Sequence, residues 1–355
     1  MNSGKNPRKH WPALVAIALI AGGLAAAFLF TSGRVGDRIT TSTFLENTPP
    51  SFPAGYRRAH GKGMCFDGVF RPSTEAAGLS RARVFSAPQT PVIGRFSIGA
   101  GSPYADDRST KTVSMALLLD ADGQQWRMKL NNSPYFPTRD APGFLALGKA
   151  TTPDPATGQP DPAKVSAFLA RYPEAAKHMA ASEKTPWPGN FSGARLHAMH
   201  AYFFVGEAGE RQAVRWSFRP HAPFVAATAE ERDKGGVNML FDGLAEQLSH
   251  APLKWDLVLQ IAEPGDPTDD PSQPWPDSRE QVVAGTLEVR RVFEQATGAC
   301  RDINFDPTLV PPGIELSDDP VLAARAGIYA HSYNARQREI GYGKATDAVG
   351  KEAPR

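Results

Sequence analysis

The chain has 355 residues, of which 41% are hydrophobic and 21% are charged. A chain of this length and composition can bury one large hydrophobic core or two small ones, as an ordinary globular protein does. The formal net charge is only +2 and the one basic cluster is the short group Lys5, Arg8 and Lys9, so a nucleic-acid partner is not expected.

An uncharged stretch of twenty residues, Trp11–Phe30, follows the basic cluster. An α-helix needs about 20 apolar residues to cross the hydrocarbon layer of a membrane. Signal peptides have shorter apolar regions of about 7 to 15 residues, and here the small-residue pattern Ala25–Ala27 is followed by further apolar residues. We therefore favour a membrane anchor over a cleaved signal peptide. The basic cluster then places the residues after Arg34 on the periplasmic side of the cytoplasmic membrane, or in the periplasm if the segment is cleaved.

The composition divides the chain into four parts. Residues 1–33 form the signal or anchor, and the polar, threonine-containing residues 34–51 form a linker. Residues 52–345 are expected to fold as one domain, and residues 346–355 form a tail. Neither an internal repeat nor a second domain is visible in the sequence.

Runs of residues with strand character recur along the folded domain, separated by turn signals. Polar, glycine-containing connections at 121–123 and 207–210 are typical of hairpins. Eight such runs predict a closed antiparallel sheet. The runs are Gly63–Arg71, Val92–Ala100, Thr112–Asp120, Gln125–Leu130, His200–Gly206, Gln212–Arg219, Lys254–Ala262 and Gln281–Val292.

Hydrophobic residues recur at helical spacing in three other regions. Asp161–Ser182 is expected to be helical with a break at Pro173, because proline cannot continue a helix. Ala227–Leu248 predicts two helices divided at its Gly-Gly pair, and Pro320 opens a last helix that extends to about residue 339. These helices are expected to cover the sheet, which gives an α+β fold.

Residues with metal-binding side chains do not form a zinc-type motif. Cys65 and Cys300 are the only cysteines. Their spacing leaves open whether they pair or are buried thiols, and the apolar surroundings of Cys65 favour a buried thiol. His197 and His200 lack ligand spacing and are interpreted as structural residues.

Four short segments resemble motifs of the haem catalase family, in the same order and at similar spacing. One such match would be a weak signal, whereas four in register are a strong one. The resemblance runs from about residue 52 to 341 and implies a catalase-type eight-stranded antiparallel β-barrel with covering helices in the domain 52–345. The chain ends soon afterwards, which resembles the small catalase-related peroxidases. The segments are Arg57-x-x-His60-x-Lys62-Gly63, Gly94-Arg95-Phe96-Ser97, Asn131–Asp140, and Arg325-x-x-x-Tyr329 with Arg336.

The resemblance implies a haem b cofactor with Tyr329 as the iron ligand. Arg325, one helical turn earlier, would stabilise the tyrosinate by a charge-assisted hydrogen bond. On the opposite side of the haem, His60 would act as general acid and base. Asn131 would hold the peroxide through its side-chain amide, and Ser97 would orient the imidazole of His60.

The two haem propionates require cations, and the resemblance assigns Arg57, Arg95 and Arg336 to them, because guanidinium groups pair with carboxylates in a bidentate manner. Phe136 and Phe144 match positions that stack on the porphyrin or lie at its edge. Their alternative interpretation is as ordinary core aromatic residues.

The resulting hypothesis is a haem peroxidase that reduces organic hydroperoxides, and hydrogen peroxide as well, through a ferryl intermediate with an organic electron donor. A true catalase that disproportionates hydrogen peroxide is the alternative among enzymes. Against it, the chain lacks the long N-terminal arm that the family's full catalases have. A haem-binding protein without turnover is the alternative from another class. The expected partners are the peroxide, the donor and, through residues 11–30, a membrane, while monomer and dimer both remain open.

Overall fold

A computed structural model of the protein divides the chain into two units, Met1–Thr48 and Pro49–Arg355. The described residues of the first unit are helical. The second unit contains the predicted barrel and helices. The residues that the structure describes are 15–17, 19–24, 27 and 53–342.

Three predictions concern residues that lie mainly outside this description. The linker 34–51 and the tail 346–355 are outside it, as is half of the predicted span 11–30. Within the described part of the chain, no helix combines the length and the apolar character that a membrane span requires.

The strands of the described residues form one antiparallel sheet. They are β1 (Gly63–Pro72), β2 (Thr90–Ile98), β3 (Val113–Ala121), β4 (Gln124–Asn131), β5 (Leu196–His197), β6 (Tyr202–Val205), β7 (Arg211–Pro220), β8 (Leu253–Ile261), β9 (Gln281–Glu294) and β10 (Ile314–Leu316).

Eight of these strands close into a barrel in the order β1-β2-β3-β4-β5-β7-β8-β9, with β9 pairing back to β1. β6 pairs with another part of β7 and carries β10 on its other side. The predicted eight-stranded antiparallel barrel is therefore confirmed. The predicted hairpins between β3 and β4 and between β6 and β7 are also present.

The strand that completes the ring differs from the prediction. The run His200–Gly206 contains β6, which lies beside the ring, whereas the two-residue strand β5 joins β4 to β7. A strand of two residues is too short to show the alternation by which strands are recognised in a sequence. β10, with three residues, was missed for the same reason.

Side chains alternate between the two faces of each strand, as the pleat of a strand requires. On β3, Val113, Met115 and Leu117 point into the barrel and are completely buried in the main core. An eight-stranded barrel is just wide enough for such side chains to fill it. Ser114 and Ala116, between them in sequence, point outward. The outer face is therefore the face on which a site can be built.

The predicted helices are confirmed, including the break at Pro173 and the division at the Gly-Gly pair. α1 was not predicted, because two glycines and a proline in its ten residues resemble a loop. The helices are α1 (Ala141–Ala150), α2 (Pro162–Arg171), α3 (Pro173–Lys184), α4 (Ala229–Lys234), α5 (Met239–His250) and α6 (Pro320–Gly341), with short 3-10 turns at Ala76–Gly78, Arg83–Phe85 and Asp107–Ser109.

Cys65 and Cys300 form a disulfide, so the interpretation of Cys65 as a buried thiol is wrong. The two residues are 235 positions apart in sequence, and the fold brings their Cα atoms to 5.4 Å. Cys65 lies on the outer face of β1, where it packs with Ala116 and Phe305. The bond therefore ties the segment that precedes α6 to the barrel wall.

Candidate active site

A row of polar residues crosses the outer face of the barrel. Ser97 on β2 pairs with Ser114 on β3, Ser114 with Asn131 on β4, and Asn131 with His197 on β5. Residues directly opposite each other in an antiparallel sheet lie on the same face, with Cβ atoms roughly 4.5 to 5.5 Å apart. The fold thus brings side chains from four strands into one row.

His60 lies immediately before β1 in an unusual backbone conformation, with a φ angle of 52°. A non-glycine residue with positive φ is strained and often marks a functional site. The glycines that follow are required by close contacts, because a Cβ at Gly61 would overlap the carbonyl oxygen of Gly101 and one at Gly63 would overlap the guanidinium of Arg95. The glycine-rich motif therefore holds the histidine against the barrel wall.

The imidazole of His60 is held by two contacts at Nδ1. This atom lies 3.0 Å from the carbonyl oxygen of Ile98 and 3.3 Å from the hydroxyl oxygen of Ser114. Because a carbonyl can only accept a hydrogen bond, Nδ1 carries the proton and Nε2 keeps its lone pair. Burial, and then the charges of Lys129 and Arg95, lower the pKa of His60 well below 6.5. The histidine is therefore neutral at pH 7 and can accept a proton at Nε2.

The hydroxyl beside the imidazole is that of Ser114, and not that of Ser97 to which the contact was assigned. Ser97 is the buried cross-strand partner of Ser114. Asn131 accepts a hydrogen bond from the backbone N–H of Ser133 through Oδ1, at 2.8 Å. This turn fixes the amide orientation and leaves Nδ2 to donate on the outer face, where Asn131 is the cross-strand neighbour of Ser114.

Tyr329 lies on α6, one turn after Arg325. The Arg325 Cζ atom is 6.0 Å from the Tyr329 ring centroid and 6.0 Å from that of Phe136. Burial raises the pKa of Tyr329, and this outweighs the lowering effects of Arg325 and Arg57. The cations alone therefore do not ionise the phenol. A metal ion at the oxygen would do so, as bound cations deprotonate their ligands.

Sequence reasoning missed the pair formed by His200 and Asp319. Both side chains are buried, and His200 Nδ1 donates to Asp319 Oδ2 at 2.6 Å. Asp319 also caps α6 by accepting hydrogen bonds from the backbone N–H groups of Val321 and Leu322. Burial and then the charge of Arg325 lower the pKa of His200. Its Nε2 is buried without a hydrogen-bond partner among the described residues.

His200 is thus a buried structural residue to which the fold gives a specific partner. Its hydrogen bond to Asp319 ties the N-terminus of α6 to the segment that precedes β6. The sequence carried no signal for this link, because His200 and Asp319 are 119 residues apart and neither belongs to a recognised motif.

Two of the three arginines assigned to propionates are held by neutral groups. Arg57 donates through Nη2 to the carbonyl oxygens of Cys300 and Ile303, each at 2.9 Å. Arg95 donates through Nη2 to Oε1 of Gln295 at 2.6 Å. These contacts orient the guanidinium groups without neutralising their charges. The disulfide fixes one of the carbonyls that hold Arg57.

The site carries an excess of positive charge, and this charge can be compared with the two negative propionates of a haem. Arg336 is only 3% exposed, and burial together with the charge of Arg336 lowers the pKa of Arg95 to about 9. Arg325 Nη1 and Arg336 Nε are buried without a hydrogen-bond partner among the described residues. A buried unpaired charge is strongly unfavourable, so an anionic group is expected here. The residues fit a cofactor with two propionates. Within residues 53–342, none of these cations forms an ion pair with a carboxylate: Arg57, Arg95, Lys129, Arg325 and Arg336.

Phe136 and Phe144 contact each other with ring centroids 4.8 Å apart. Phe136 is buried with Met199 and Val321 beside the start of α6, near Arg325. Phe144 is 37% exposed. Phe136 therefore lies among the site residues, and Phe144 lies at a more accessible position next to it.

Comparisons with known proteins agree with this geometry. A family model described as catalase matches residues 54–342. The chain is 35% identical to a catalase-related peroxidase of Synechococcus elongatus over 94% of this chain and 99% of that protein. It is 29% identical to a catalase-related peroxidase of Mycolicibacterium paratuberculosis, over 79% of this chain and 89% of the relative.

The fold is similar to those of solved catalases. A fungal catalase superposes with a TM-score of 0.72 at 19% identity, over 80% of this chain and 60% of the other. A bacterial catalase gives a TM-score of 0.70 at 22% identity, over 80% and 58% of the two chains. The chain thus spans less than two thirds of these larger proteins.

Proposed function

Since the chain belongs to the haem catalase family, in its subgroup of catalase-related peroxidases, it is a peroxidase, and we propose that it reduces organic hydroperoxides with a small organic electron donor. We propose hydrogen peroxide as a second substrate of the enzyme. The proposed cofactor is haem b, held by Tyr329 on one side and by the cations Arg57, Arg95 and Arg336 at its propionates.

The observation that carries the proposal is the state of His60. A protein that only binds or carries haem has no need of a histidine in a strained backbone conformation with one nitrogen fixed as a donor. A peroxidase needs such a neutral base, because the peroxide must lose a proton before its O–O bond breaks. The amide of Asn131, oriented by its turn, adds a donor at the same place.

A bound haem would supply the iron at which the peroxide binds and would carry the oxidising equivalents of the peroxide to the donor. The protein side chains would then move the proton. His60 takes it from the peroxide oxygen at Nε2 and returns it to the departing oxygen, which leaves as an alcohol or as water. Asn131 holds the peroxide by donating from Nδ2. Arg325 would keep positive charge beside the ionised Tyr329.

Steady-state assays of the haem-loaded protein test the proposal. We expect reduction of cumene hydroperoxide that depends on added donor. Oxygen evolution from hydrogen peroxide without a donor would support the catalase alternative, for which His60, Asn131 and Tyr329 are all present. A protein that binds haem but turns over none of these substrates would be a haem-binding protein, and the proposal would be wrong.

We also propose that the barrel domain is exported and lies on the periplasmic side of the cytoplasmic membrane. Two observations support this location: the uncharged stretch 11–30, and the disulfide between Cys65 and Cys300, a bond that persists mainly in oxidising compartments. Fractionation of cells and the intact mass of the mature protein test it. A soluble protein found in the cytoplasm with free thiols would contradict the proposal. A mass that begins after residue 27 would instead indicate a cleaved signal.

A further inference from the structure

Lys129 is a cation of the site that the family resemblance did not assign. It lies on β4 two residues before Asn131, so both side chains are on the outer face of the barrel. Its neighbours across the sheet are Ala116 on β3 and, beyond that, Arg95 on β2. Its charge acts on the imidazole of His60. Lys129 therefore shares the side of the site on which His60 and Asn131 receive the peroxide.

No carboxylate neutralises this lysine within residues 53–342. Its Nζ donates one hydrogen bond, at 3.1 Å, to the carbonyl oxygen of Leu130. An ammonium group has three donors, so two remain for another partner. By contrast, Lys62 pairs with Asp107 at 2.7 Å.

The proposed cofactor does not account for this charge. Arg57, Arg95 and Arg336 would match its two propionates, and Arg325 would match the tyrosinate. Lys129 is the cation left over. Because Lys129 lies on the same outer face as Asn131, two residues away on β4, its remaining donors are placed to meet what binds beside the peroxide.

The environment also favours an anion at this amine. Burial, and then the charges of Arg325 and Arg95, lower the pKa of Lys129 well below its ordinary value. An anion bound next to Nζ would oppose these effects and restore the charge of the lysine. Anion binding and proton binding at Lys129 would thus support each other.

We propose that Lys129 binds a negatively charged group of the substrate, so that the enzyme prefers hydroperoxides that carry a carboxylate. This inference rests on the proposed peroxidase function and names its substrate class. Lys129 is then a specificity-determining residue, distinct from the proton-transfer role of His60.

Formate, a minimal carboxylate, tests the anion site without turnover. Ferric, haem-loaded protein is titrated with formate and the absorbance change gives a dissociation constant. For Lys129→Met we expect this constant to rise about hundredfold to thousandfold, as the loss of one unit charge at roughly 4 to 6 Å predicts with an effective dielectric constant of about 20. Lys254→Met is the matched control, because Lys254 pairs with Glu288 at 3.6 Å on the barrel surface. Its formate affinity should equal that of the unmodified protein.

A neutral ligand, imidazole, separates charge from shape and should bind both lysine variants equally within about twofold. Unchanged formate affinity in Lys129→Met with full haem content overturns the inference. If this variant retains no haem, Lys129→Gln is titrated instead. Loss of haem in both variants would assign Lys129 to cofactor binding and would also overturn the inference.

Turnover of two matched substrates, cumene hydroperoxide and its para-carboxylate, tests the substrate class. We expect the unmodified enzyme to prefer the carboxylate in kcat/KM, and Lys129→Met to lose that preference about tenfold or more. A preference that Lys129→Met leaves unchanged overturns the inference while the peroxidase function stands. If neither substrate is turned over but formate binding still depends on Lys129, the peroxidase function and the substrate class are both overturned. The anion site is then still supported.

Discussion

The role of His60 gives the sharpest prediction. At pH 7 its lowered pKa keeps it in the neutral form, so the unmodified enzyme already uses the full capacity of the base. His60→Ala should therefore slow the reaction with peroxide by about 10² to 10⁴, which is the usual contribution of general acid–base catalysis and corresponds to about 3 to 5 kcal/mol in the barrier. Haem binding should survive, because the side chains that hold the cofactor are unchanged.

Stopped-flow mixing with peroxide measures the rate, and the absorbance of the resting protein measures haem content. His221→Ala is the matched control, since His221 contacts Asp256 at 2.8 Å away from the site. Ser114→Ala should have an intermediate effect of up to about tenfold, because it removes one of the two contacts at Nδ1 and a net hydrogen bond is worth about 0.5 to 1.5 kcal/mol. The hydrogen bond to Ile98 would still hold the tautomer.

The pH dependence follows from the same pKa shift. Since the folded protein holds His60 neutral, the rate should stay constant as the pH falls to about 6.5, the ordinary histidine value, and should decrease only below it. If His60→Ala reacted with peroxide at the unmodified rate while retaining haem, the assignment of the proton-transfer residue would be wrong.

Four further predictions concern other parts of the molecule. Tyr329→Phe should lose most of its haem or change its absorbance spectrum, and unchanged content and spectrum would contradict its role as ligand. Arg325→Met should shift the spectrum as well as slow the reaction, because it withdraws the charge that favours the ionised phenol; an effect on rate alone would speak against this role. Replacing Cys65 and Cys300 together by serine should lower the free energy of unfolding by up to about 5 kcal/mol, as the chain-entropy estimate gives for so long a loop, and denaturant titration measures it. Burial lowers the pKa of His197 to about 4, so the unfolded chain binds a proton at this position below about pH 6.5 that the folded protein does not. Stability should therefore fall from pH 6.5 to about 4, and less so in His197→Asn.

Much of the fold could be predicted because its signals are local. The long strands β1, β2 and β3 are apolar-rich runs of nine or ten residues bounded by turn signals, and prolines and glycines mark where helices begin or divide. The segments containing His60, Asn131 and Tyr329 were likewise found by motif, since their residue order is a property of the sequence itself. The roles assigned to these three residues remain predictions.

Other features depend on contacts between residues that are far apart in the chain. The sequence could not decide whether Cys65 and Cys300 pair, because only the closed barrel brings positions 235 residues apart into contact. It assigned the contact of His60 to Ser97, whereas the register between β2 and β3 places the neighbouring strand's Ser114 beside the imidazole.

Charge balance was also decided by the tertiary structure. Any lysine looks like a solvated residue in a sequence, and Lys129 becomes distinctive only when its neighbours are known to be cations and neutral groups. The same holds for His200, whose buried position is explained only by its hydrogen bond to Asp319 at the start of α6. Periodicity and motifs are encoded in neighbouring residues, whereas hydrogen-bond partners and unpaired charges are set by strand register and helix docking.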